Sequence, residues 1–305
     1  MHTASLSFGS LLLRRPRWLL RGALAALATL AGVTSLEVQQ RRWIFQAGLS
    51  SNPARAQAAA GLQDRWIAFD SEESGAPAQL HGLWLPQMTE DAPVLLFLHG
   101  ARWDIRSSAQ RMRSLHALGF SVLGIDYRGF GQSTPALPSE RLACEDARAA
   151  WAWLARQHPQ TRRYIGGHSL GGAIAVQLAT QVDDASGLIV EGTFTSIPEV
   201  IGLNRRWRPL GSLVGSMIGS LIASLITQRF DSAAQVHQVK VPTLVVHGSA
   251  DVFVRPELGH ALFERVTAPK RFVLVQGGAH HDTHALGQAQ CRAALGELFG
   301  MSNSA

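Results

Sequence analysis

The chain has 305 residues, 46% of them apolar and 16% charged, a balance that excludes a disordered polymer and fits a chain burying a substantial core. Its net charge of +6 would suit a nucleic-acid binder, but residues 1–60 hold seven arginines against one acid, Glu37. The rest of the chain carries 21 basic and 21 acidic residues, so the globular part is formally neutral and no nucleic-acid partner is expected.

The first element is the uncharged run 22–36, GALAALATLAGVTSL, preceded by Arg14, Arg15, Arg17 and Arg21. It is short against the roughly 20 residues of a span, but Trp18-Leu19-Leu20 extends it and Arg21 can snorkel to the interface. The expectation is a single-pass N-terminal membrane anchor within residues 1–45, with the domain on the far side of the membrane from the arginines. Arg41 and Arg42 flank its other end and weaken that orientation. Two alternatives are a cleaved signal, with Ala31 and Val33 before the cut, and a soluble amphipathic extension. Lys240 and Lys270 are the only lysines, an arginine-rich, alanine-rich usage that points to a bacterial, GC-rich genome and so to an inner-membrane protein facing the periplasm.

A polar stretch at 46–60 separates this run from the domain expected over 60–300. Strands are predicted at Arg65–Phe69, Gln79–Leu85, Val94–His99, Ser121–Ile125, Tyr164–Gly167, Leu188–Glu191, Thr243–His247 and Arg271–Gln276. The last six are continuous apolar runs, as parallel strands covered on both faces require. Helices are predicted at 106–118, 139–157, 170–181, 256–266 and 285–299. This alternation gives the fold class as α/β, a doubly wound and mostly parallel sheet with its chemistry at the carboxyl ends of the strands. Residues of about 195–235 interrupt it, and there Leu210–Thr227 is uncharged and rich in small residues. It reads as a cap helix, with a second membrane span as the alternative. Asn204, Arg205, Arg206 and Arg208 precede it and belong to the rim of the site. Cys144 and Cys291 read as two buried small hydrophobes rather than a disulfide. No Cys/His cluster has metal-ligand spacing, so neither metal nor cofactor is expected.

Gly167-His168-Ser169-Leu170-Gly171 matches G-x-S-x-G between a strand-like and a helix-like segment. Such a turn strains the serine backbone and leaves no room for side chains two positions either side, where both residues are glycine. Ser169 is therefore the candidate nucleophile, projecting over a helix N-terminus whose dipole favours negative charge. The turn His99-Gly100-Ala101-Arg102 follows the third strand, and the amides of Ala101 and Leu170 are the candidate oxyanion donors. His99 itself reads as a structural support of that turn. In this arrangement the acid lies between nucleophile and histidine in the chain, which selects Asp251 after the strand Thr243–His247. Glu191 is the rival acid, and Asp231 reads as a turn or cap residue. The base comes from Gly277-Gly278-Ala279-His280-His281-Asp282, where two adjacent histidines compete. His158, His237 and His260 read as surface or core-edge residues.

The set HG at 99–100, DYRGFGQS at 126–133, GHSLGG at 167–172, EGTFTSIPE at 191–199, PTLVVHGSAD at 242–251 and GGAHHD at 277–282 resembles the α/β-hydrolase superfamily. It is most similar to the membrane-anchored, serine-aminopeptidase-like branch, over about residues 60–300. The resemblance implies His280 as base, because Gly-His-Asn-Asp in that branch aligns its histidine with His280 and its asparagine with His281. It implies hydrolysis of an ester, thioester or amide. The branch often has asparagine after the early His-Gly, where this chain has Ala101-Arg102. The expected activity is carboxylic-ester or thioester hydrolysis through an acyl-enzyme, on a small-molecule or lipid-like acyl substrate. An aminopeptidase or amidase, and a catalytically silent membrane-anchored binding protein, are the alternatives.

Overall fold

A computed structural model describes residues 32, 34–48, 57–202, 221 and 224–301. Most of the run 22–36, Asn204 to Arg208 and most of Leu210–Thr227 lie outside the described residues. No helix among the described residues is long and apolar enough to cross a membrane. The described residues from Gln40 onward form one compact unit, which carries everything below.

Eight strands form one sheet: β1 (Gln63–Ser71), β2 (Ala76–Leu85), β3 (Val94–Leu98), β4 (Ser121–Ile125), β5 (Arg163–His168), β6 (Gly187–Glu191), β7 (Thr243–Gly248) and β8 (Lys270–Val275). Their order is β1-β2-β4-β3-β5-β6-β7-β8, with β1 and β2 antiparallel and β3 to β8 parallel. The helices that matter here are α1 (Ala109–Ala117), α2 (Glu140–Gln157), α3 (Leu170–Ala179), α4 (Ile197–Gly202), α5 (Ser232–Gln235), α6 (Pro256–Arg265), α7 (Thr283–Leu286) and α8 (Gln288–Phe299).

The alternation of strand side chains divides the core in two. Val94, Leu96 and Leu98 of β3 pack with α2, α3 and α6, while Leu95 and Phe97 pack with α1 and α8. Both faces are thereby covered, which is why β3 to β7 carry apolar residues at nearly every position. β8 departs from that expectation. It is the edge strand, and Arg271 and Leu274 are exposed, so its apolar run is only half buried.

Two predicted helices are also redrawn. The 106–118 helix begins as a 3-10 turn over Ile105–Ser108, because Asp104 caps that turn by accepting from the Ser107 amide at 3.2 Å. The 285–299 helix splits into α7 and α8 at Gly287, where a Cβ would lie 2.6 Å from a Val275 methyl. Cys144 and Cys291 are both unpaired, buried thiols in different halves of the core. Burial pushes the Cys291 thiol up to about 12, so it packs as an inert neutral group.

Candidate active site

β5 delivers Ser169 into the turn before α3 at φ 55°, ψ −121°, a backbone that costs a non-glycine residue about 1–3 kcal/mol. Surrounding groups over-determine it. The Ser169 amide donates to the Glu191 carbonyl at 2.9 Å, and its carbonyl accepts from the Thr193 hydroxyl at 2.9 Å. The flanking glycines are sterically required: a Cβ on Gly171 would sit 2.0 Å from the Leu98 carbonyl oxygen, and one on Gly167 2.2 Å from that of Gly171. The same close approach brings the end of β3, and with it the His99-Gly100 turn, against the serine.

Asp251 stands in the turn after β7. One carboxylate oxygen accepts from the Phe253 and Val254 amides, each at 2.9 Å, and the other lies 2.6 Å from His280 Nδ1. Burial alone would raise this carboxyl. The nearby His247 ring, 3.6 Å away, and the hydrogen bonds from His280 and the Val254 amide outweigh it and hold the group well below the usual carboxylate range. A carboxylate only accepts, so Nδ1 of His280 carries a proton, and in the neutral ring the lone pair is on Nε2. Gly192, at φ +56°, passes beneath the pair, and a Cβ there would lie about 3.5 Å from both partners.

Ser169 and His280 line one cavity of about 720 Å³, together with Ala101 and Leu170. The Arg102 amide is already taken by the Phe45 carbonyl at 2.8 Å, with Arg102 at φ +89°. The apolar part of the cavity lining includes Trp43, Ile44, Phe194, Ile197, Val200 and Ile201, the last three on α4. The polar part includes Ser107, Ser108, Gln110, Ser114 and His284.

The rival residues make other contacts. His281 is exposed, ring to ring with His280 at 5.1 Å and with Trp103 at 5.8 Å, while Asp251 pairs with its neighbour. The Glu191 carboxylate is engaged by Arg111 at 3.0 Å. Asp231 caps α5 by accepting from the Ala234 amide. His99 supports its turn: Nδ1 lies 2.6 Å from the Gly100 carbonyl and Nε2 faces Asp126 at 3.5 Å.

Three residues around the site carry no sequence signal of their own, although one of them sits inside the nucleophile motif. His168 and Arg111 both reach the His280 carbonyl, at 2.9 and 3.4 Å. His247 is fully buried, donates from Nε2 to the Val254 carbonyl at 2.9 Å and lies 3.6 Å from Asp251. It braces the turn that carries the acid.

Residues 89–232 match the family described as serine aminopeptidase, S33. An uncharacterized protein of Mycobacterium tuberculosis is 32% identical over 278 residues, covering 90% of this chain and 92% of that one. The lysophosphatidylserine lipase ABHD12 of Danio rerio is 30% identical over 212 residues, covering 62% of this chain and 54% of its own length. Among solved structures, the Pyrococcus furiosus esterase Pf2001 superposes with a TM-score of 0.62 at 18% identity, over 83% of this chain and 95% of the esterase. The eight-stranded sheet, the serine turn after β5 and these relatives agree: the chain belongs to the α/β-hydrolase superfamily, and its residues 89–232 are similar to the serine aminopeptidase family.

Proposed function

We infer that the chain hydrolyses a carboxylic ester or thioester through an acyl-enzyme on Ser169. The observation that carries this reading is the 2.6 Å contact between His280 Nδ1 and Asp251 at a cavity that Ser169 also lines. Asp251 holds the tautomer that leaves His280 Nε2 basic, so His280 takes the Ser169 proton as the serine attacks the acyl carbon. The amides of Ala101 and Leu170 hold the tetrahedral oxyanion. His280 then returns the proton to the departing oxygen or sulfur, and water repeats the sequence to release the acid. Labelling of the wild-type protein by a fluorophosphonate tests this reading. A folded protein that is not labelled, and whose Ser169→Ala variant behaves identically, is a binding protein instead.

An aminopeptidase requires a carboxylate for the substrate α-amine. Among the described residues of the cavity wall the acid is Asp282, whose Oδ1 already accepts from the Ala279 amide at 2.7 Å. That favours the ester reading. The apolar residues of the cavity lining support an acyl chain of medium or greater length, and a relative named as a lysophosphatidylserine lipase is in keeping with a lipid-like ester. Each methylene buried contributes about 0.8 kcal/mol, so kcat/KM is expected to rise from acetyl to octanoyl p-nitrophenyl esters. Val200→Asp, at the cavity wall, is expected to flatten that rise. A preference for acetyl esters that Val200→Asp leaves unchanged removes the acyl assignment.

The run 22–36 is assigned as a membrane anchor, with the hydrolase domain on the periplasmic side. The intact chain is expected to stay with membranes through a carbonate wash. Recovery in the soluble fraction, with residues 1–35 missing by mass spectrometry, assigns a cleaved signal in its place.

A further inference from the structure

The loop that carries His280 begins with Gly277-Gly278, Gly277 at φ +72°, a pliable lead into a residue whose ring must be placed to a fraction of an ångström. Within the loop, the Gly278 carbonyl accepts from the Ala250 amide at 2.9 Å, and Asp282 accepts from Ala279. The backbone of His280 itself is held from outside. Its carbonyl accepts from His168 Nε2 at 2.9 Å and faces Arg111 Nη2 at 3.4 Å.

A carbonyl only accepts, so His168 is the tautomer protonated on Nε2. The ring is buried, 4.6 Å from that of His280, and a Cβ on Gly100 would meet its Nδ1 at 3.4 Å. Burial, Arg111 and His280 hold its pKa well below the usual histidine value, so it is a fixed neutral donor rather than a second base. Arg111 is in turn anchored on the Glu191 carboxylate, and the Glu191 carbonyl accepts the Ser169 amide. One closed chain of contacts thus links nucleophile, Glu191, Arg111, the His280 carbonyl and His168, which adjoins the nucleophile again.

We propose that His168 is a positioning residue: its Nε2–H fixes the His280 backbone relative to Ser169, so that the base is in place before substrate arrives. This rests on His280 acting as the base. A misplacement of about 1 Å at a reacting group costs about a hundredfold in rate, and binding away from that group is untouched. The effect therefore falls on kcat rather than KM.

Substitutions that differ in reach separate positioning from packing. His168→Gln carries an N–H at the position of Nε2, His168→Asn carries one too short to reach the carbonyl, and His168→Phe fills the space with no donor. On the full chain with p-nitrophenyl esters, His168→Gln is expected to keep kcat within about fivefold. His168→Asn and His168→Phe are each expected to lose about a hundredfold in kcat with KM within about twofold. If either of these two does not fold, the other carries the comparison. Equal kcat for Gln, Asn and Phe, a loss confined to KM, or failure to fold of the variants lacking the donor assigns His168 to packing and overturns the proposal. Fluorophosphonate labelling keeps the two readings apart. A wild-type chain that is not labelled removes the serine mechanism, whereas a labelled wild type with equivalent Gln and Asn variants removes the positioning role alone.

Discussion

Ser169→Ala is expected to lower kcat toward p-nitrophenyl esters by roughly 10⁴- to 10⁶-fold while leaving the fold intact. In the proposed mechanism the hydroxyl forms the acyl bond, whereas the turn is held through the Ser169 backbone amide and carbonyl. Alanine adopts the same φ at similar cost, so the thermal midpoint is expected to move by no more than a few degrees. Steady-state turnover and a melting curve on the same preparation check both halves. Near-normal turnover in the variant eliminates Ser169 as nucleophile. An unfolded variant contradicts the structural account of the elbow.

The two adjacent histidines are expected to differ by orders of magnitude. His280→Ala is expected to approach the Ser169→Ala loss, because His280 is the one whose Nδ1 meets Asp251 at 2.6 Å. His281→Ala is expected to cost less than about tenfold, since that ring stands exposed at the rim against Trp103. Asp251→Asn is expected to lose about 10⁴-fold by stabilising the wrong imidazole tautomer. The reverse order of the two histidines in kcat would place the base one residue later and break the Asp251 pairing as the basis of the mechanism.

Asp251 also ties the site to acid stability. Its pKa is depressed in the folded protein, so the folded state binds fewer protons than the unfolded chain below the ordinary carboxylate range. The stability it contributes is fully present above the unfolded value and is lost as pH falls through the folded one. A neutral amide at position 251 has no such dependence.

Much of the fold was legible in the chain because burial on both faces forces an unbroken apolar run. Ser121–Ile125 and Leu188–Glu191 follow that rule closely. The same rule misreads β8, since the apolar pattern of an edge strand does not announce that one neighbour is missing. Gly167 was readable because its steric role is local, a Cβ there meeting the backbone of Gly171, whereas Gly171 is crowded by the distant Leu98 carbonyl of β3.

Sequence alone determined the α/β class and the serine turn, since each follows from periodicity or from the steric demands of a short segment. Tertiary structure decided the contacts among residues far apart in the chain. It placed His280 rather than His281 against Asp251, and it gave the Glu191 carboxylate to Arg111. It also brought His168 to the His280 carbonyl across 112 positions. The physical reason is that hydrogen bonds at the carboxyl ends of parallel strands join loops that only the strand order makes neighbours, and no local pattern in the chain encodes that order.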